Sequence, residues 1–177
     1  MGIQIGARPD SGFDDPIGML KDCHRRIEHF LHILCVVVER AAGRAMTEEE
    51  AVAIKAALQY FRVGGQRHTA DEEESLFPRL RTESATVNLK ELSGLESDHR
   101  DANDLHAAAD TLYSAWIAAG PLSRDDEQRL LLITKRLKHL YEKHIQVEEQ
   151  IVFPLAAGML DSHAIADMGR EFRKRRE

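Results

Sequence analysis

A histidine followed four residues later by a glutamate, then by further acid and an apolar-Phe-Pro ending, is written twice in this chain. It stands as HTADEEESLFP at residues 68–78 and again as HIQVEEQIVFP at residues 144–154. On a helix, positions i and i+4 share one face, so each copy presents an imidazole and a carboxylate side by side. Two further histidines, His24 and His99, precede His68 and His144 by 44 and 45 residues. Four imidazoles and two carboxylates at matched spacing suit cation binding. No Ser-His-Asp or Cys-His constellation that would suggest a protein nucleophile is evident.

The elements that must position these residues read as four long amphipathic segments. In the first, Asp15 is the N-cap and Pro16 the first helical residue. Its apolar stripe is Leu20, Ile27, Leu31, Leu34, Val38 and Ala41, and Gly43 ends it. The second opens with a Thr47/Glu50 capping box and carries Ile54, Leu58 and Phe61. A kink is expected at Gly64–Gly65 and a stop near Pro78. The third begins between residues 84 and 90, shows Leu92, Leu95, Ala102, Ala109, Tyr113 and Trp116, and ends at Gly120-Pro121. The fourth is capped by Ser123 and shows Leu130, Leu137, Tyr141, Ile151 and Leu155. A short fifth helix is expected from Ser162.

Long helices with short connections predict an all-α fold, an up-down-up-down four-helix bundle with a short extra C-terminal helix. The expected organisation is a flexible arm over 1–14, the bundle over 15–157, and the C-terminal helix and tail over 158–177. The first helix pair resembles the second, which implies a pseudo-twofold arrangement.

The stripes have gaps, and the gaps are polar. The apolar rhythm places His24 in the first helix, His68 and Glu72 in the second, His99 and His106 in the third, and His144 and Glu148 in the fourth toward the core. Buried ionisable groups are costly unless paired or bound to metal. At about 1.5 Å rise per residue, His24 lies roughly 12 Å into its helix. His68 and His144 lie about 15 Å before Pro78 and Pro154. Antiparallel packing then brings the four histidines into one layer. The expected chemistry is a two-metal site, each metal taking two histidines while Glu72 and Glu148 bridge. That ligand set suits iron, and zinc or manganese less so.

These residues carry a resemblance. His24, His68-x3-Glu72, His99 and His144-x3-Glu148 match the pattern of the hemerythrin-like, or HHE cation-binding, proteins over residues 16 to about 156. The resemblance implies a pair of non-haem iron ions, oxo- or hydroxo-bridged, that react with O2, peroxide or NO. Oxygen-carrying hemerythrins have a second histidine four residues after the one on the third helix, where this chain has Asn103. Their fourth helix carries an Asp five residues after its histidine, whereas here Glu148 stands at four and Glu149 at five. These departures shift the implied activity from reversible oxygen carriage toward catalase- or peroxidase-like redox chemistry. A non-enzymatic iron, oxygen or NO sensor and an iron store are the alternatives.

Around this set, Tyr141 is a catalytic candidate, one turn from His144, whose hydroxyl could serve the oxygen chemistry. Glu28 is weighed as a ligand or as an acceptor to a ligating histidine against a partly solvated charge, Glu96 as a ligand by its Glu-x-x-His spacing to His99, and His106 as a ligand against a satisfied core histidine. Glu73 and Glu149 project about 140° round the helix from their histidines and are expected to be solvated. His29, His32, His139 and His163 lie off the stripes. Gly64 and Gly65 could open a small cavity beside Tyr141, Asn103 and Glu28, or simply kink the helix.

A net charge of −6 gives no footprint for nucleic acid. The basic cluster Arg170, Arg173, Lys174, Arg175 and Arg176 reads as a helix end complementing its macrodipole. Cys23 and Cys35, about 18 Å apart along one helix, cannot form a disulfide. The longest apolar run, ILCVVV at 33–38, is too short to span a membrane. A cytoplasmic protein is expected, with oligomeric state left open.

Overall fold

Asp15 opens the first helix as its sequence predicts, its carboxylate accepting the Gly18 amide hydrogen, with Pro16 as the first residue of α1 (Pro16–Arg40). The computed structural model describes residues 10–83 and 90–177. Thr47 and Glu50 form the reciprocal capping box of α2 (Glu48–Tyr60). This rod continues through α3 (Gln66–Asp71) and α4 (Phe77–Glu83). Helix α5 (Lys90–Ala119) is the third rod, and the start expected between 84 and 90 falls mostly outside the described residues. Ser123 caps α6 (Arg124–Val147), which runs on into α7 (Phe153–Met159), and Asp161 caps α8 (Ser162–Lys174).

The rods form a closed ring, α1 against α2 and α6, and α5 against α6 and α2. The fold is therefore the expected all-α bundle with an additional C-terminal helix, and no strand occurs among the described residues.

The expected stop near Pro78 is corrected, and the matching Pro154 of the second motif behaves the same way. Neither Pro78 nor Pro154 stops its helix. Each follows a π-helical turn, at Phe61–Gly65 and Glu72–Leu76 in the second rod and at Glu148–Val152 in the fourth. The amides of Phe77 and Phe153 bond to the carbonyls of Glu72 and Glu148, five residues back. In this wider turn a following proline avoids the carbonyl its ring would strike in a regular helix. The Gly64–Gly65 kink is likewise the first of these π turns. Each turn inserts a residue and rotates everything beyond it by about 100°. Ile151, expected in the stripe, is consequently 49% exposed, and Val152 is buried in its place.

The core is split into two apolar clusters. One is built around Leu31, Leu34, Ile54, Tyr113, Trp116 and Leu137. The other joins Leu20, Leu76, Phe77, Leu92, Val152 and Phe153 to Met168 and Phe172 of α8. Helix α8 thus plugs one end of the bundle, and burying each such side chain contributes about 1.5–3 kcal/mol. The two arginines that follow it reach back: Arg175 Nη1 lies 2.9 Å from Asp71 Oδ1, and Arg176 Nη2 lies 2.6 Å from Oδ2. Beyond macrodipole complementation, then, the basic tail clamps a fully buried carboxylate. The expected N-terminal arm is anchored where it is described: Asp10 pairs with Arg26, and Phe13 packs on the α8 cluster beneath Arg173.

Candidate metal centre

Between the two apolar clusters lies a polar layer. His24 on α1, His68 on α3, His99 on α5 and His144 on α6 meet there, with Glu72 and Glu148 at the starts of the second and third π turns. All six are buried, the two glutamates completely. They fall into two groups, His24–His68–Glu72–Glu148 and Glu72–His99–His144–Glu148, in each of which one ligand atom per residue lies within 4.8 Å of the others. Both glutamates belong to both groups.

Each glutamate turns one oxygen to each histidine pair. Glu72 Oε1 lies 3.3 Å from His68 Nε2, and its Oε2 lies 3.2 Å from His99 Nε2. Glu148 Oε1 lies 3.3 Å from His144 Nε2, and its Oε2 lies 3.0 Å from His24 Nε2. Yet both oxygens of Glu72 and Glu148, and Nε2 of His24 and His68, are buried with no aligned hydrogen-bond partner among the described residues. His99 and His144 direct their Nε2 atoms at each other, 3.1 Å apart. Buried polar atoms are nearly always paired, and the two groups converge closely enough that each could hold a metal ion.

The outer nitrogens explain how the rings are aimed. His24 Nδ1 lies 2.9 Å from Glu149 Oε1, His99 Nδ1 lies 2.8 Å from Glu73 Oε1, and His144 Nδ1 lies 3.4 Å from Asp98 Oδ2. An ionised carboxylate obliges Nδ1 to carry the proton, which leaves the Nε2 lone pair facing inward. Phenylalanines fix the ring planes. Phe153 stacks on His24, centroids 5.3 Å apart, and Phe77 stacks on His99 at 6.3 Å. The Phe of each repeated motif therefore supports a histidine of another helix.

Burial and neighbouring charge pull the titratable groups of the layer in different directions. Burial lowers His24 and His144, but the glutamates beside them outweigh it and raise both above the ordinary histidine value. Burial, with three neighbouring imidazoles, takes His68 well below it. Burial and the Glu148 carboxylate push Glu72 well up.

The model of the hemerythrin HHE cation binding domain matches residues 15–156. This chain belongs to the hemerythrin family. No curated protein is significantly similar to it.

Within this HHE domain the remaining sequence candidates are placed as follows. Tyr141 is one turn before His144, ring centroids 6.2 Å apart, and its hydroxyl meets His106 Nε2 at 3.1 Å. His106 stacks on Phe61, and burial lowers it to about 4, so it is neutral at physiological pH. Neither His106 nor Glu96 joins the two groups, and Glu96 pairs with Arg81. Glu28 is exposed, as are His29, His32, His139 and His163.

Glu73 and Glu149 correct an expectation. They are 36% and 41% exposed, but each reaches in from the surface to orient a histidine. The π turns begin at Glu72 and Glu148, and their altered winding defeats the 140° projected for a regular helix. A second acid directly after each His-x3-Glu was the available signal. Asp98 was not singled out at all; its place before His99 was the only hint.

A cavity of about 190 Å³ opens beside the centre, lined by Gly65, Glu73, His99, Asn103, His106 and Tyr141 among others. Gly65 thus contributes to a cavity beside Tyr141 and Asn103. Glu28 instead lines a separate cavity, of about 190 Å³, on the other side of Tyr141.

Proposed function

We propose that this HHE domain holds two iron ions and reacts there with O2 or hydrogen peroxide, or with NO. His24 and His68 would hold one ion and His99 and His144 the other, with Glu72 and Glu148 available to both. One observation carries the reading. Among the described residues, two four-residue groups share both glutamates, and the inward atoms of His24, His68, Glu72 and Glu148 are buried without hydrogen-bond partners. Imidazole and carboxylate donors together fit iron.

Bound there, an iron pair supplies one- and two-electron exchange with small oxygen or nitrogen ligands. The chain's own groups do the rest. Glu149, Glu73 and Asp98 keep the Nδ1 proton in place on His24, His99 and His144, so the Nε2 atoms stay available. The apolar clusters on either side keep bulk water out of the layer. The cavity lined by His99, Glu73 and Tyr141 admits a molecule of the size of peroxide or a diatomic gas. Tyr141 places its hydroxyl at the cavity wall, and His106, being neutral, orients it and relays a proton. That makes Tyr141 the proposed catalytic proton donor. A lined route to the centre favours reactivity over plain storage.

Elemental analysis of protein made in iron-replete cells tests this directly. About two irons per chain are expected, falling sharply in His144→Ala, with peroxide consumption by the loaded protein alone. A folded protein that takes up no ferrous iron under anaerobic reconstitution would overturn the reading.

A further inference from the structure

Resting on the two-metal reading, the geometry points to two unequal metal positions: Asp98 makes the His99/His144 position the tighter one, filled first, and the His24/His68 position the weaker and more exchangeable one.

In the partners of their outer nitrogens the two halves of the layer differ at one point. His24 and His99 each have a glutamate on Nδ1, at 2.9 and 2.8 Å. His144 has Asp98 on its Nδ1. Its counterpart His68 is buried and has no hydrogen-bond partner on Nδ1 among the described residues. The pseudo-repeat shows why. Asp98 immediately precedes His99, and the residue immediately preceding His24 is Cys23. Cys23 is buried, and its Sγ lies 3.8 Å from Arg26 Nη2. A thiol thus stands where the other half has a carboxylate. The nearest acid along the helix from His68, Asp71, is taken up by Arg175 and Arg176.

The consequence is chemical. A carboxylate on the outer nitrogen makes imidazole a better donor and fixes its ring, and losing one typically weakens metal binding 10–100-fold. The His99/His144 position has two such carboxylates, Glu73 and Asp98. The His24/His68 position has one, Glu149. At 3.4 Å the Asp98 contact is long, which points to the lower end, about 10-fold. The tighter position is also the one beside the cavity, because His99 lines it. A chain carrying a single metal therefore carries it where a small ligand arrives.

Anaerobic titration of the metal-free full chain with Co²⁺, followed by calorimetry and by the cobalt d–d bands, tests this. Two binding steps at least about 10-fold apart are expected. Asp98→Asn, a change at a partly exposed position, should weaken the first step about 10-fold and leave the second within a factor of about 3. His68→Ala should keep the tight step, and His144→Ala should keep only weak binding. Circular dichroism checks that each variant remains helical. Equal loss of the tight step in His68→Ala and His144→Ala would mean that mutual repulsion of the cations, not Asp98, separates the steps, and would overturn the inference. So would an Asp98→Asn titration identical to the wild type. Both results leave the two-metal reading standing. Binding of one ion or none in the wild type removes that reading, and this one with it.

Discussion

Glu149 Oε1 stands 2.9 Å from Nδ1 of His24, although the two residues are 125 positions apart in the chain. The acid directly following Glu148 thus reaches across from the fourth rod to aim a histidine of the first. Glu73 does the same for His99 from the second rod. In both cases a π turn starts at the preceding glutamate, so one turn supplies an inward carboxylate and an outer one.

Glu149→Gln keeps the size of the side chain but removes its charge. Metal affinity is expected to fall about 10-fold, and up to about 100-fold when combined with Glu73→Gln. Helicity should be unchanged, since both side chains lie partly in solvent. Competition with a chelator of known affinity reads the shift.

Tyr141→Phe removes the hydroxyl and leaves the ring. Iron content is expected to stay at the wild-type level while the rate of peroxide consumption drops about 100-fold. An unchanged rate would remove Tyr141 from the proton pathway.

Gly65 lines the cavity beside His99, and a Cβ there would meet Phe61 at an ordinary 3.7 Å. A larger side chain would extend into the open space. Stopped-flow measurement of NO or peroxide binding to Gly65→Leu is expected to show slowed access with metal content intact. An unaltered rate would mean that ligands arrive by another route.

His106 gives stability a defined pH dependence. Burial lowers it from 6.5 to about 4, so the folded protein holds it neutral while the unfolded chain takes up a proton sooner. A depressed folded value means the contribution is fully present above about pH 6.5 and is lost as pH falls toward 4. The loss is on the order of 3 kcal/mol. Urea unfolding of metal-free wild type and His106→Phe at pH 7.5 and 4.5 isolates it, because the variant should lack this component.

Arg175→Ala with Arg176→Ala strips both cations from the buried Asp71. A destabilisation of about 3 kcal/mol is expected, the low end for breaking a buried pair because both arginines keep some contact with water. Adding Asp71→Asn should restore part of it. Thermal unfolding of the three proteins compares them.

Much of this was legible in the chain. Asp15, Thr47 and Ser123 cap helices because their short side chains satisfy free amides within three residues, a strictly local matter. The stripe gaps at His24, His68, His99 and His144 marked inward faces because the helical period is fixed by the backbone. The repeat of 44 and 45 residues put those gaps at one level before any contact was known.

The π turns were not legible. HTADEEESLFP reads as an ordinary helix with a proline stop, and nothing in its propensities calls for a widened turn. That turn exists because Phe77 and Phe153 must stack on His99 and His24 while Glu72 and Glu148 point inward, and only the packed bundle imposes both demands. The same winding hid the roles of Glu73 and Glu149 and turned Ile151 outward.

The sequence by itself determined the helices, their inward faces and the six groups at their shared level, since each follows from local bonding and a constant period. Only the tertiary structure decided which oxygen of each glutamate faces which histidine pair, which outer acids aim the rings, and that among the described residues none aims His68. Those are relations across helices, set by rotation and packing at distances of a few ångströms, and no spacing along the chain encodes them.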